Sequence, residues 1–207
     1  MTKKLKKAPI RKAKQERAQA TIEAVLEAAA QILTVEGYEG ATTNRIAEAA
    51  GVSIGSIYQY FPNKESIVAE LIERTLGQVM SVFVERLAQV GNLALKEGVR
   101  QLIRAMIEAH RKHPSLQRVY DEQIPKIGKL GRLRELQNQA VEMVQLYFAS
   151  RRNELRVKNL EIAAFIGVHS VEFLIKEALS ERPELFESPA FEDELVALIH
   201  RYLAASG

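Results

Sequence analysis

Residues 53–61 read Ser-Ile-Gly-Ser-Ile-Tyr-Gln-Tyr-Phe. Projected as a helix at about 100° per residue, they separate into two arcs. Ile54, Ile57 and Phe61 share one arc. Gly55, Ser56, Gln59 and Tyr60 share the other, with Tyr58 on the border. The second arc is small, hydrogen-bonding and uncharged, where an ordinary surface helix carries Lys and Glu. Such a face suits a helix lying in the DNA major groove, where side chains read base edges and flanking groups hold phosphate. The same stretch also spells a competing chemistry. Gly51-Val52-Ser53-Ile54-Gly55 matches the G-x-S-x-G nucleophile elbow, which needs a strand leading into the turn and a His and an acid to complete a triad. The pattern before Gly51 is helical, so a hydrolase is rejected. His110 and His113 lack the His-Glu-x-x-His arrangement of a zinc protease, and a histidine near a helix end more often complements the dipole. The only two aspartates, Asp121 and Asp193, belong to no cluster suited to magnesium, and the absence of cysteine removes thiolate sites. No catalytic residue, metal or cofactor is expected.

The reading face needs a scaffold, and the breakers outline one. Gly37 and Gly40, Gly51, Pro62, Gly91, Pro114, Pro125 with Gly128 and Gly131, then Pro183 and Pro189 cut the chain into helix-sized pieces. Ala, Leu, Glu, Arg and Gln dominate between them and no stretch alternates as a strand would, so the fold class is all-α. Ile22, Val25, Leu26, Ala29 and Leu33 give a first helix over 17–36 one buried stripe, with Gly37 as its stop. Thr42 or Thr43 caps a short helix ending at Ala50, and Ser53 caps a second through Phe61. Neither is long enough to hold itself together. Ile46, Ala47 and Ala50 must therefore share a core with Val52, Ile57 and Phe61. A long helix follows from residues 63–65 to about 90, then helices over 94–112, 115–122, 130–153, 158–181 and 190–204.

The formal net charge of +3 is unevenly spread. Residues 1–17 carry eight cations against Glu16, a net of +7, and leave −4 for the remaining residues. An arm of this kind attracts polyanions, nucleic acid first. Arg11, Lys12, Lys14 and Arg17 stand where a secretion signal needs its apolar core. The longest apolar run, residues 162–168, is far short of a membrane span of about 18. A soluble, cytoplasmic protein is expected, with a basic flexible arm over 1–16.

The run from Thr42 to Glu65 resembles the helix-turn-helix of the tetracycline-repressor (TetR) family. The Ala-Gly-Val-Ser turn at 50–53, the Tyr-x-Tyr-Phe end at 58–61 and the Asn-Lys-Glu restart at 63–65 occur together at the right spacing, preceded by Gly37-Tyr38. The likeness covers about residues 17–70. It implies a three-helix DNA-binding domain over 17–62 and a helical bundle over 63–207 for effector binding and dimerisation. It also implies roles. Thr42 and Thr43 hold phosphate at a helix N-terminus. Ser53, Ile54, Gly55, Ser56 and Gln59 face the groove, with Ser56 and Gln59 as base readers. Tyr58 and Tyr60 give hydroxyls to phosphate, packing with a wet hydroxyl being the alternative. Lys64 clamps the backbone, and Arg45 adds a further phosphate contact.

A helix-turn-helix reads little DNA alone, so such proteins pair to read two half-sites. The helix over 158–181 is apolar on two sides, one arc including Ala164, Gly167, Val171 and Leu174 and the other Ile162, Ile166 and Phe173. With Leu195, Leu198, Ile199 and Tyr202 from the last helix, Ala164, Gly167, Val171 and Leu174 are assigned to a dimer interface; an intrachain core is the alternative. Polar groups near apolar arcs, Arg104, Glu108, Tyr120, Tyr147, His169 and Glu172, are candidates for a ligand pocket. For His169 and Glu172 a surface pair is the alternative. The combined expectation is a homodimeric repressor released from a palindromic operator by a small-molecule effector; the alternative is an effector-independent or architectural DNA-binding protein.

Overall fold

The computed structural model describes residues 8–111 and 114–204. Among them the chain forms ten α-helices: α1 (Ala8–Gly40), α2 (Thr43–Ala49), α3 (Ile54–Tyr58), α4 (Lys64–Gln89), α5 (Leu95–Arg111), α6 (Pro114–Gln123), α7 (Leu130–Ser150), α8 (Leu160–Glu181), α9 (Pro183–Phe186) and α10 (Pro189–Leu203). A 3-10 turn, Arg152–Glu154, follows α7. Among the described residues the only β pairing is an isolated antiparallel bridge between Leu155 and Ala204, and no helix is long and apolar enough to cross a membrane.

The first helix differs from expectation at its start. Residues 8–16, assigned to a flexible arm, are the opening turns of α1, where Ala, Lys, Gln and Glu favour helix. The rest of that arm, with Lys3, Lys4, Lys6 and Lys7, lies outside the described residues, as does His113. Gly37, at φ 70° and ψ −173°, breaks α1, so residues 38–40 form a separate turn.

Two compact units divide the chain between Ile72 and Glu73, ten residues later than the sequence boundary. The reason is burial. Ile67, Val68 and Ile72, on the first turns of α4, are fully buried in the first unit. There they join a core that includes Val25, Leu26, Ala29, Leu33, Ile46, Ala47, Ile57 and Phe61.

The second unit packs α7 and α5 against α8, and α10 against α5. Phe83, Leu102, Ile103, Phe148, Ile175 and Leu203 are among the residues of its core. Arg151 is buried there with its terminal nitrogens satisfied: they donate to the carbonyls of Val90, Gly91 and Leu93, which follow α4, and pair with Glu154 at 3.0 Å, while Nε has no partner among the described residues. A buried charge survives only when so satisfied. The short α9, which the sequence reading did not resolve, opens with Pro183 and buries Phe186.

This packing corrects the assigned dimer residues. Ala164, Val171, Leu195 and Ile199 belong to the chain's own core, Gly167 is buried, and Leu174 and Tyr202 pack against that core. Of the eight only Leu198 is exposed. Helices α5, α7 and α10 cover one arc of α8, and the other is left outside: Ile162, Phe165, Ile166 and Phe173 are 39 to 63% exposed.

Candidate nucleic-acid interface and core cavity

In the first unit, capping fixes the turn that presents α3. Thr42 caps α2, its side chain accepting from the Arg45 amide at 3.3 Å. At the other end the Gly51 amide donates to the Glu48 carbonyl at 3.1 Å and the Val52 amide to Ala47 at 3.0 Å. That is a Schellman closure, and Gly51 at φ 65° supplies its left-handed residue. Ser53 then caps α3, accepting from the Ser56 amide at 3.1 Å. Gly51 and Ser53 of the G-x-S-x-G pattern are thus a helix stop and a helix start. Asn63 and Ser66 form a reciprocal cap on α4, the Ser66 amide donating to Asn63 Oδ1 at 2.9 Å and the Asn63 amide to Ser66 Oγ at 3.3 Å.

These constraints bury Ile57 and Phe61 and leave Ser53, Gly55, Tyr58, Gln59 and Tyr60 exposed, with Ser56 at the edge. Ile54, placed by periodicity on the inner arc, is 36% exposed. As the first residue of so short a helix, it turns partly out. The Ser53 and Ser56 hydroxyls lie 2.8 Å apart, and Thr43 Oγ1 lies 3.4 Å from the Tyr58 hydroxyl. The uncharged face is therefore continuous from Thr43 across α3.

The two cations assigned to phosphate are engaged within the unit. The Arg45 guanidinium forks both carboxylate oxygens of Glu36, so it ties α2 to α1 before it can serve DNA. Lys64 Nζ donates to the Tyr38 carbonyl at 3.0 Å and sits 3.8 Å from the centre of the Tyr38 ring. The Tyr38 hydroxyl donates to Glu65 Oε1 at 3.1 Å. Burial, then the Glu65 carboxylate, pushes the Tyr38 hydroxyl up to about 12. The Tyr38 latch was visible in sequence only as a neighbour of Gly37.

The second unit contains a mainly apolar cavity that opens to solvent. Its wall is formed by apolar side chains such as Met80, Phe83, Leu102, Leu136 and Phe148, together with Gln137 and Glu172. Of the six sequence candidates, only Glu172 lines it. Arg104 and Glu108 line a second, polar cavity, where Arg104 forks Glu192 at 2.7 and 3.1 Å. Tyr120 is buried with its hydroxyl 3.0 Å from Thr75 Oγ1. Tyr147 is buried with its hydroxyl unpaired, and His169 stacks on Phe165 at 4.4 Å. None of these last three lines either cavity.

Glu172 has two cationic neighbours. Lys176 Nζ is 3.0 Å from its Oε1, and His110 Nε2 is 3.7 Å from the same oxygen. Burial alone would raise the Glu172 pKa, but His110 and Lys176 outweigh it and hold the carboxyl at about 2. Burial likewise opposes charge on His110, and the facing carboxylate overcomes it, so its pKa lies above 6.5. His110 Nδ1 donates to the Met106 carbonyl at 2.9 Å, which leaves Nε2 towards Glu172.

Comparisons with known proteins agree with the domain order. A fatty acid metabolism regulator protein of Bacillus subtilis (strain 168) is 31% identical over 86 residues, covering 42% of this chain and 41% of that protein. The nucleoid occlusion factor SlmA of Haemophilus ducreyi is 33% identical over 120 residues, covering 58% of this chain and 56% of its own. The chain thus spans about half the length of these relatives. A putative TetR-family transcriptional regulator from Mesorhizobium loti shares the fold with a TM-score of 0.72 at 19% identity, over 91% of this chain and 99% of that one. Residues 25–71 match the bacterial regulatory proteins of the tetR family, and residues 94–203, more than half of the chain, match the tetracyclin repressor-like C-terminal domain. With a capped helix-turn-helix in one unit and a helical core in the other, the chain belongs to the TetR family of DNA-binding transcriptional regulators.

Proposed function

We propose that the protein is a cytoplasmic homodimeric repressor that holds a palindromic operator and leaves it when a small-molecule effector binds. The observation that carries the DNA-reading part is the uncharged, exposed face of α3, fixed by the Gly51 turn and the Ser53 cap. In this reading Ser56 and Gln59 contact base edges, with Ser53, Ile54 and Gly55 close to the groove wall. Thr42, Thr43, Tyr58, Tyr60 and Lys64 hold phosphate, and the cations before Arg17 add non-specific attraction. Arg45 acts through Glu36 as a brace for α2.

The pairing surface in this proposal is the outer arc of α8 with Leu198. Four large apolar residues exposed at helical spacing form the kind of patch that a monomer rarely leaves to water. Effector release follows if a ligand binds better to a form whose reading helices are wrongly spaced; DNA then weakens ligand binding by the same factor.

Sequencing genomic fragments retained by the purified protein tests this reading. The expected result is a palindrome with half-sites about one helical turn apart, or a multiple. Retention without sequence preference would favour the architectural alternative.

A further inference from the structure

The apolar cavity has one polar feature whose state selects among ligands. Glu172 is ionised, and its charge is already balanced by Lys176 and His110, both addressing Oε1. Gln137 is the one other wall residue, among those described, with a nitrogen or oxygen in its side chain.

These facts constrain a ligand in three ways. The wall rewards apolar surface, so most of the molecule must be hydrocarbon or aromatic. A carboxylate or phosphate head would be buried against the Glu172 anion without a cation of its own on the wall. An ammonium head would meet a carboxylate that already has two cations beside it, and so would add an uncompensated positive charge. The closest approach of each cation is to Oε1, so Oε2 is the oxygen left to a ligand, and a neutral donor satisfies it without adding charge.

We infer that this cavity takes an uncharged, mainly apolar molecule with a single hydrogen-bond-donating head, a hydroxyl or an amide N–H, seated on Glu172. The inference rests on the effector reading above and specifies its chemical class.

Four probes of equal chain length separate the possibilities: 1-decanol, decyl methyl ether, decanoate and decylammonium. Each is titrated by calorimetry into the full-length protein, and operator affinity is measured separately by fluorescence anisotropy. The expected ranking places 1-decanol about tenfold or more ahead of the other three, since a hydrogen bond to a charged acceptor is at stake. Glu172→Gln should reverse part of this order, because Lys176 then lacks a counterion and decanoate gains. Decanoate or decylammonium binding as tightly as 1-decanol to the unaltered protein would overturn the inference, as would equal binding of the ether or no binding by any probe. The unaltered protein's ranking decides the matter even if Glu172→Gln folds poorly. A 1-decanol that binds first in rank but leaves operator affinity unchanged supports the ligand class and rejects the effector reading.

Discussion

The two units put polar groups to opposite uses. In the helix-turn-helix unit, polar side chains fix the backbone locally: Thr42, Ser53 and Asn63 each bind an amide three residues on. The groups left over, Gln59 and the tyrosine hydroxyls, face outward. In the second unit, the polar groups near the cavity are consumed by one another over long sequence distances, as in Arg104 with Glu192 and His110 with Glu172. Function in the first unit lies in a surface written by short-range rules. Under the proposed function, that of the second lies in a space bounded by side chains whose types name only burial.

Helix α8 gives this contrast its largest test, because it carries both an inner and an outer apolar arc. Val171 and Leu195 lie in the core, whereas Phe173 is 63% exposed. Val171→Glu or Leu195→Glu places an unpaired charge in that core and should destabilise by several kcal/mol, giving a poorly folded chain. Phe173→Glu should instead yield a folded monomer that binds operator weakly. Sedimentation with circular dichroism separates the outcomes. A Phe173→Glu chain that stays dimeric would move the pairing surface elsewhere.

A second test concerns the Tyr147 hydroxyl, which is buried without a partner. A Cβ built on Gly98 would collide with that oxygen. Gly98→Ala should therefore destabilise by about 3 kcal/mol through overpacking. Tyr147→Phe should be neutral or stabilising, since it removes an unsatisfied donor. The double variant should recover much of the loss, a coupling readable in urea unfolding midpoints. Additive effects would mean that the close approach is relieved by movement elsewhere.

These two tests mark where sequence was legible. The all-α class followed from composition and the lack of alternation, the order of the main helices from the breakers, and the placing of α2 and α3 from Gly51, Ser53 and Pro62, because caps and breakers act within a few residues. The start of α1 and the unit boundary at Ile72 did not, since Lys-rich turns read alike as arm or helix and a long helix shows no seam. Most of the residues assigned to the dimer interface lie in or against the chain's own core, for a related reason. Periodicity showed that α8 has two apolar arcs, but which one α5, α7 and α10 cover is a fact of tertiary packing. Glu172 was singled out beside His169, one turn away, while its actual partner His110 is on another helix.

Within the first unit, the face of α3 and the Tyr38 latch should respond differently. Gln59→Ala removes an exposed side chain, so it should leave the melting temperature unchanged and cost about 2 kcal/mol at particular operator positions. Lys64→Ala should weaken all sequences alike and reduce the salt slope by about one. It should also lower the melting temperature, because the ammonium is bonded to the Tyr38 carbonyl. Operator titrations at several salt concentrations, with melting curves alongside, distinguish them. Equal loss with unaltered preference from both would remove Gln59 from its reading role.

The smallest expected effect comes from the Glu172 cluster and bears on the long-range side of the comparison. Glu172 titrates near 2 in the fold against 4.5 for an ordinary carboxyl, so its contribution to stability is present above about 4.5 and is lost as pH falls from there towards 2. His110 titrates above 6.5 in the fold, so its contribution is present below 6.5 and disappears as pH rises through the folded value. The pair therefore supports the second unit most between about pH 4.5 and 6.5. Between pH 5 and pH 4 the loss from Glu172 should be only about 0.5–1 kcal/mol, because most of its titration lies lower. Urea midpoints from pH 4 to 8 should trace this shallow maximum in the unaltered protein. Glu172→Gln should flatten both limbs, leaving His110 buried without its counterion and neutral near pH 7. A variant that lost only the acid limb and kept the fall above pH 6.5 would show that the 3.7 Å approach of His110 to Glu172 is proximity without coupling, and that Lys176 alone balances the carboxylate on the cavity wall.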